Sequence, residues 1–297
     1  QEPANQSTNT VPGNQQNTQL TTNNKAAADK VAVAPPLAIA PFDAAEAKAH
    51  QAAWAKYLGV PVEYANSIGM KFMLIPPGEF MMGPKTSNST VIISKPFYLG
   101  KYEVTKGEYS ALIKNGNEQP SKSRLPVTDI HSISAIKYCK LLSSNTGQFY
   151  RLPTEAEWEY CCKAGTSTVY HFGEKDNIAG EYAWYEVNSK GVVHEVGQKL
   201  GNHWGIFDLH GNCREWCLNF YYEYASGEET DPMGPADGKY RVLRGGSYDS
   251  SSPHIRSDWR SKYPVNYVRH MFSFRVVLEI PVRAQPNTGA AAAKSLP

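Results

Sequence analysis

From Gly165 to the end of the aromatic segments near residue 280, no helical or alternating pattern persists for long. Short aromatic runs are broken again and again by glycine, proline, asparagine and serine, the residues that set turn geometry. A chain so punctuated cannot build a helical bundle or long parallel strands. It must hold its loops with side chains. With 23 Gly, 20 Pro, 18 Tyr and 6 Trp in 297 residues, the material for turns and aromatic packing is abundant. No repeat of 20–50 residues is evident, which excludes solenoids and propellers. The reading is one α+β domain, short on regular secondary structure.

The more regular first half carries three capping boxes, in which a side chain and the glutamate three residues on satisfy each other's backbone amides. Asp43 and Glu46 open a helix to Leu58, with Ala47, His50, Trp54 and Tyr57 or Leu58 on one stripe. Gly59 and Pro61 end it. Trp54 is expected to dock this helix, and His50 to be a packing residue. Thr105 and Glu108 open a second helix through Ile113. Thr154 and Glu157 open a third around Trp158. Ala135, Ile136, Cys139 and Leu142 have helical spacing, stopped at Gly147. Met70–Gly83 reads as a hairpin turning at Pro76-Pro77-Gly78. Val91–Tyr102 reads as one strand near an edge, interrupted at Pro96. Arg241–Ser247 and Phe274–Leu278 read as late strands.

The ends differ in kind. Gln, Asn and Thr make up 16 of residues 1–24, and no aromatic residue precedes Phe42. Such a stretch cannot bury enough apolar surface to offset its ordering entropy, so residues 1–41 are expected to be a disordered linker ending at Pro35-Pro36. Residues 42–61 form the N-terminal helix, 62–282 the domain and 283–297 a flexible tail. A polar tether behind a start at Gln1 is the look of an exported chain after leader removal, so a secreted or periplasmic location is expected. Formal net charge is +2, from 30 Lys and Arg against 28 Asp and Glu. That balance offers no field for nucleic acid. No apolar run approaches the ~18 residues that cross a bilayer.

Several segments stand in a distinctive order: Ile75-Pro-Pro-Gly-Glu-Phe-Met-Met-Gly83, Glu103-Val-Thr105, Arg151-Leu-Pro-Thr-Glu-Ala-Glu-Trp-Glu-Tyr160, Gly205-Ile-Phe-Asp-Leu-His-Gly-Asn-Cys-Arg-Glu-Trp216, Arg244-Gly-Gly-Ser247 and Phe274-Arg275. Together, over roughly residues 65–280, they resemble the formylglycine-generating enzyme, or sulfatase-modifying factor, family. The Asp43–Pro61 lead-in is similar to segments that precede this domain in bacterial proteins. The resemblance implies a C-type-lectin-related α+β fold. It also implies a copper-dependent oxidation of a sulfatase cysteine to formylglycine, performed by two cysteines after the Gly-Gly-Ser strand.

Those cysteines are missing. The stretch reads Ser247-Tyr-Asp-Ser-Ser-Ser-Pro-His-Ile-Arg-Ser257. Ser250 stands where the resemblance places the first copper ligand, and the second has no counterpart. Copper(I) prefers soft thiolates, and neither a serine hydroxyl nor His254 replaces a thiolate pair. An active-site tryptophan of the family is Arg214 here. No His-x3-His-x-Glu pattern exists for the iron chemistry of the related sulfoxide synthases. No catalytic residue, no cofactor-binding residue and no copper are therefore expected. The resemblance does imply a structural calcium site at Asp208, the carbonyls of Gly211 and Cys213, and Glu215. Oxygen ligands on a tight glycine-containing turn suit a hard cation. A second family calcium site, near Asn188, is not carried over.

The five cysteines, Cys139, Cys161, Cys162, Cys213 and Cys217, lack the paired spacing of a zinc site. Cys139 reads as buried and inert; a crosslink from the 161–162 pair to Cys213 or Cys217 is one candidate. Glu155, Glu157 and Glu159 read as helix-start carboxylates rather than an acid–base pair. Arg244, Arg256, Arg260 and Arg275 read as anchors of irregular loops. Trp184, Tyr185, Tyr221, Tyr222, Tyr224, Trp259 and Tyr263 are candidates to line a groove. The functional expectation is an exported, non-oxidase binding or structural module with a protein or glycan partner, as a component of an envelope complex. The alternatives are a sulfatase-modifying oxidase and a lectin-like glycan binder.

Overall fold

In the computed structural model, residues 33–113 and 123–280 are described. Most of the expected linker (1–32) and the tail (283–297) lie outside them. Strand β1 (Ala38–Ile39) falls inside the segment expected to be linker. The Ala38 amide donates to Pro77 O and the Ala40 amide to Glu79 O, and Ala38 is fully buried. The ordered chain thus starts earlier than the composition implied, because main-chain pairing needs no bulky side chain.

Helix α1 (Ala44–Leu58) has both halves of the Asp43–Glu46 capping box and a left-handed Gly59 at its end. Trp54 is buried, and its Nε1 donates to Pro36 O at 3.2 Å. His50 packs on the Phe42 ring. Strands β2 (Glu63–Ala65), β3 (Lys71–Ile75), β4 (Gly78–Met82), β5 (Ser89–Ile93) and β6 (Phe97–Gly100) follow. Next come α2 (Lys106–Leu112), α3 (Ser132–Thr146), β7 (Tyr150–Arg151), α4 (Glu155–Lys163) and the single-turn α5 (Ala179–Tyr182). The irregular half holds β8 (Arg214–Phe220), β9 (Gly227–Thr230), β10 (Tyr240–Arg244), β11 (Arg260–Pro264), β12 (Phe272–Ser273) and β13 (Val277–Glu279). The Thr105–Glu108 and Thr154–Glu157 boxes are both formed. Helix α3 is capped by the His131 ring, a cap the sequence does not advertise.

These strands make three sheets, ordered β2-β3-β6-β13-β7, β1-β4-β5-β9 and β11-β10-β8-β12. Three pairs of strands that are neighbours in sequence belong to different sheets. The Met70–Gly83 run turns at Pro76-Pro77 as expected, but β3 pairs with β2 and β6 while β4 pairs with β1 and β5. Two successive prolines lack amide donors and break the ladder. Val91–Tyr102 divides at Pro96 into β5 and β6, and β6 is interior rather than at an edge. The strand expected over Phe274–Leu278 forms only from Val277, as β13, which pairs with β6 and β7; Phe274–Val276, with Arg275, crosses from β12, which pairs with β8.

Every residue of α4 is buried. A helix enclosed on all sides must pair its charges, because an unpaired buried charge costs several kcal/mol. Glu155 and Glu159 both bond Arg244, Glu155 also takes Arg260 at 2.6 Å, and Glu159 takes Lys163 at 2.7 Å. Glu157 pairs with Arg151 at 2.6 Å. Burial raises the Glu155 carboxyl, whereas Lys163 and Arg244 hold Glu159 below its ordinary value against the same burial. Arg244, Arg260 and Arg275 thus anchor loops as expected; Arg256 reaches only Asp258, at 3.0 Å. No helix of the described residues is long and apolar enough to cross a membrane.

Candidate functional site

Two turns are stitched side by side at the start of β8 and the end of β10. Gly211 N donates to Gly245 O at 2.7 Å, Asn212 N to Trp184 O at 2.7 Å, and Tyr248 N to Asn212 O at 2.9 Å. Asp208, Gly211 and Asn212 are all left-handed, with φ of 58°, 84° and 54°. A Cβ on Gly211 would lie 2.1 Å from Trp184 O, so only glycine fits. Gly246 is equally constrained, 2.6 Å from His254 O. From these turns, Arg214 and Glu215 leave as successive residues of one strand and so project to opposite faces.

On the Arg214 face lies the loop expected to hold copper in an active relative. Ser247 Oγ donates to Asp249 Oδ1 at 2.7 Å and lies 3.1 Å from Ser250 Oγ. Ser250 Oγ also accepts Ser247 N at 3.0 Å. Arg214 reaches across both hydroxyls: Nε to Ser247 Oγ and Nη2 to Ser250 Oγ, each 3.3 Å. The two serines are buried. Ser250, which the resemblance sets at the first copper ligand, is thus a hydroxyl inside a closed hydrogen-bond ring headed by the Arg214 cation. A guanidinium at this spot repels a metal cation, and a neutral hydroxyl is a poor partner for a soft one. His254 turns aside, its Nδ1 on Ser251 Oγ at 2.9 Å and its ring against Trp259.

No thiol is placed to compensate. All five cysteines are free and buried. The candidate crosslink from 161–162 to 213 or 217 is not formed. Cys162 Sγ faces His210 Nε2 at 3.7 Å and Leu209 O at 3.9 Å, while Cys217 Sγ faces Glu215 O at 4.0 Å. Burial raises every one of these thiols, Cys162 to about 12, so they are poor thiolate donors.

The Glu215 face is acidic. Arg275 clamps Glu215 with Nε–Oε2 at 2.6 Å and Nη2–Oε1 at 2.5 Å, and Trp158 Nε1 donates to Oε2 at 2.8 Å. Glu103 Oε1 accepts Asn212 Nδ2 at 3.1 Å and Cys213 N at 3.2 Å. Asp208 Oδ2 accepts Gly197 N at 2.7 Å. All three carboxylates are buried, with Arg275 the one buried cation among them. Burial, then the charges of Asp208 and Glu215, push Glu103 well above its ordinary value; burial lifts Asp208 to about 6. Three buried carboxylates beside one buried guanidinium are oxygen donors of the kind a hard divalent cation takes. Among the described residues no three His, Cys, Asp or Glu side chains converge on one point. A cation here would therefore rely on main-chain oxygens for part of its shell, and the expected set contains two. Glu103 was legible as part of a motif, but not as a member of this cluster.

Also unforeseen is a buried imidazole pair behind the serine loop. His210 Nδ1 faces Ile255 O at 2.5 Å, and its Nε2 lies 2.8 Å from His171 Nδ1. A carbonyl can only accept, so His210 carries its proton on Nδ1 and accepts from His171 Nδ1–H. Burial depresses both rings, His210 to about 4. The expected aromatic groove residues are distributed among separate clusters. Trp184 stacks on His194 and under Lys199. Tyr221, Tyr222 and Tyr224 surround Arg260, and Tyr263 stacks on Tyr267.

A loop-dominated α+β domain of this kind, with its turns clamped by buried arginine–glutamate pairs, is a C-type-lectin-related fold. Residues 60–280 match the model of the sulfatase-modifying factor enzyme 1-like domain, and the chain belongs to that family. It is similar to the chaperone protein LppX of Paenibacillus barcinonensis, at 24% identity, covering 71% of this chain and 90% of that protein. It is 33% identical to the mouse formylglycine-generating enzyme over 43% of this chain, but spans only 36% of the enzyme. Among solved structures, Treponema denticola variable protein 1 superposes with a TM-score of 0.67 at 25% identity, over 74% of this chain and 99% of that one.

Proposed function

We propose that this protein is a family member without the copper oxidase step, exported to the cell envelope, where it acts as a binding or structural module. The observation carrying this reading is the Arg214 guanidinium bridging the Ser247 and Ser250 hydroxyls where copper would be gripped. The relative matched over 90% of its own length is named a chaperone, which favours a protein partner over a glycan. The loops around the stitched turns would present the interface. Asp208, the carbonyls of Gly211 and Cys213, and Glu215 would hold a structural calcium, which neutralises the buried carboxylates and stiffens the turn. The test is to incubate the protein with copper(I), oxygen and a cysteine-containing sulfatase peptide. Unchanged peptide supports the reading, and an aldehyde product overturns it. Crosslinking in native cells, followed by identification of the attached polypeptide, tests the partner; capture of glycan alone would refute it.

A further inference from the structure

Away from both faces of β8, the edge of β4 opens onto a cavity of about 540 Å³. Its position follows from the hydrogen bonding of that edge. Carbonyls of Pro77 and Glu79 are taken by the segment at Ala38–Ala40, and those of Met81 and Gly83 by Lys163 Nζ at 2.6 and 3.0 Å. Gly83 N donates to Glu159 Oε1 at 2.6 Å. Lys163 and Glu159 thus stand in for the strand that β1 does not continue, and the space beyond them is left open.

The cavity wall is mostly apolar, built from Pro41, Phe80, Met81 and Val169, with Lys85 and Arg256 also lining it. Met81 is 48% exposed although it sits on a core sheet. Volumes of 300–1,000 Å³, apolar with a few placed polar groups, are those of small-ligand sites. The charges lining the space are unbalanced: Lys85, Lys163 and Arg256 against Asp258 alone. Lys163 is saturated, since its third partner is Glu159 at 2.7 Å. Lys85 meets Glu174 at the surface. Arg256 is different. Its Nε lies 3.0 Å from Asp258 Oδ1, which leaves both terminal nitrogens without a protein acceptor among the described residues. Its side chain is 37% exposed, within the lining of the cavity. A guanidinium whose Nε lies beside a carboxylate without a hydrogen bond, and whose terminal nitrogens meet no acceptor among the described residues, is open to a two-oxygen anion.

We infer that this cavity binds a small organic carboxylate, its apolar body against Phe80, Met81 and Val169 and its carboxylate on the terminal nitrogens of Arg256. The inference is independent of the serine loop and of the calcium turn, so it stands or falls apart from them. The test uses full-length protein with 13C-methyl methionine, titrated with hexanoate and with the neutral match hexanamide; the Met81 methyl resonance is assigned from M81L. Hexanoate should shift that resonance saturably and bind about tenfold or more tightly than hexanamide. R256Q should remove that advantage and leave hexanamide unchanged, while V169W should abolish both by filling the space. Equal affinities in the wild type, no shift at Met81, or an R256Q protein that retains the preference for hexanoate would overturn the inference. Should R256Q not fold, the wild-type pair of ligands and V169W still decide.

Discussion

The two faces of β8 at Arg214 and Glu215 solve opposite problems with the same residue type. On one face Glu215 meets Arg275 in a buried, bidentate pair that also receives the Trp158 indole. On the other, Arg214 meets no carboxylate and instead joins two neutral hydroxyls at 3.3 Å. The first is an ion pair closed inside the core, and the second lies in the loop where the family resemblance leads one to expect a copper site. What the pair teaches is that one residue type serves two ends: Arg275, fully buried, neutralises a carboxylate, whereas Arg214, half-buried, ties together two buried hydroxyls.

The sharpest way to break this contrast is to remove each arginine. R275M leaves Glu103, Asp208 and Glu215 without their buried cation. It should cost about 3–5 kcal/mol in urea unfolding, the usual penalty for stranding one half of a buried pair. R214M removes two long hydrogen bonds to neutral groups at a partly exposed site and should cost about 1–2 kcal/mol. Equal losses would show that the two faces are not distinct.

The serine side has a second support, and acid should probe it. His210 ties His171 to Ile255 O, just beyond the serine loop. Its folded pKa of about 4 lies below the 6.5 of a free imidazole. The unfolded chain therefore takes up the proton first as pH falls. Stability contributed by the neutral ring is complete above pH 6.5 and is lost progressively down to about 4, on the order of 3 kcal/mol. An NMR titration of the His210 ring should show a midpoint near 4; a midpoint near 6.5 would place the ring in water.

The acidic side is probed by calcium. Saturation at about 100 times the dissociation constant should raise stability by about 2.7 kcal/mol, and a chelator should remove the gain. The variant D208N should lose most of it while R214M retains it. No calcium-dependent change in melting temperature in the wild type would contradict the proposed ligand set.

The sequence announced its local structure well where one residue sets the geometry. The three capping boxes, the glycine ends at Gly59 and Gly147, and the turn at Pro76-Pro77 are all present. It did not announce which strands pair, because β3–β4, β5–β6 and β12–β13 are near neighbours in sequence and members of different sheets. Neighbouring apolar runs look like hairpins whether or not they pair. At the site, the replaced Ser250 and Arg214 were legible as chemistry, since a missing thiol is a fact of composition. The ring they form was not, and neither was the His171–His210 pair. Both depend on residues 33 or more positions apart being brought to hydrogen-bond distance.

The central claim is that no soft-metal grip exists beside Ser247 and Ser250. Copper(I) should be titrated into the reduced, folded protein against a chromophoric chelator, with X-ray absorption at the copper edge recording its ligands. The chelator should keep the copper, with no sulfur coordination arising in the folded protein. One equivalent of copper(I) held by two sulfur ligands, with the protein still folded, would contradict it.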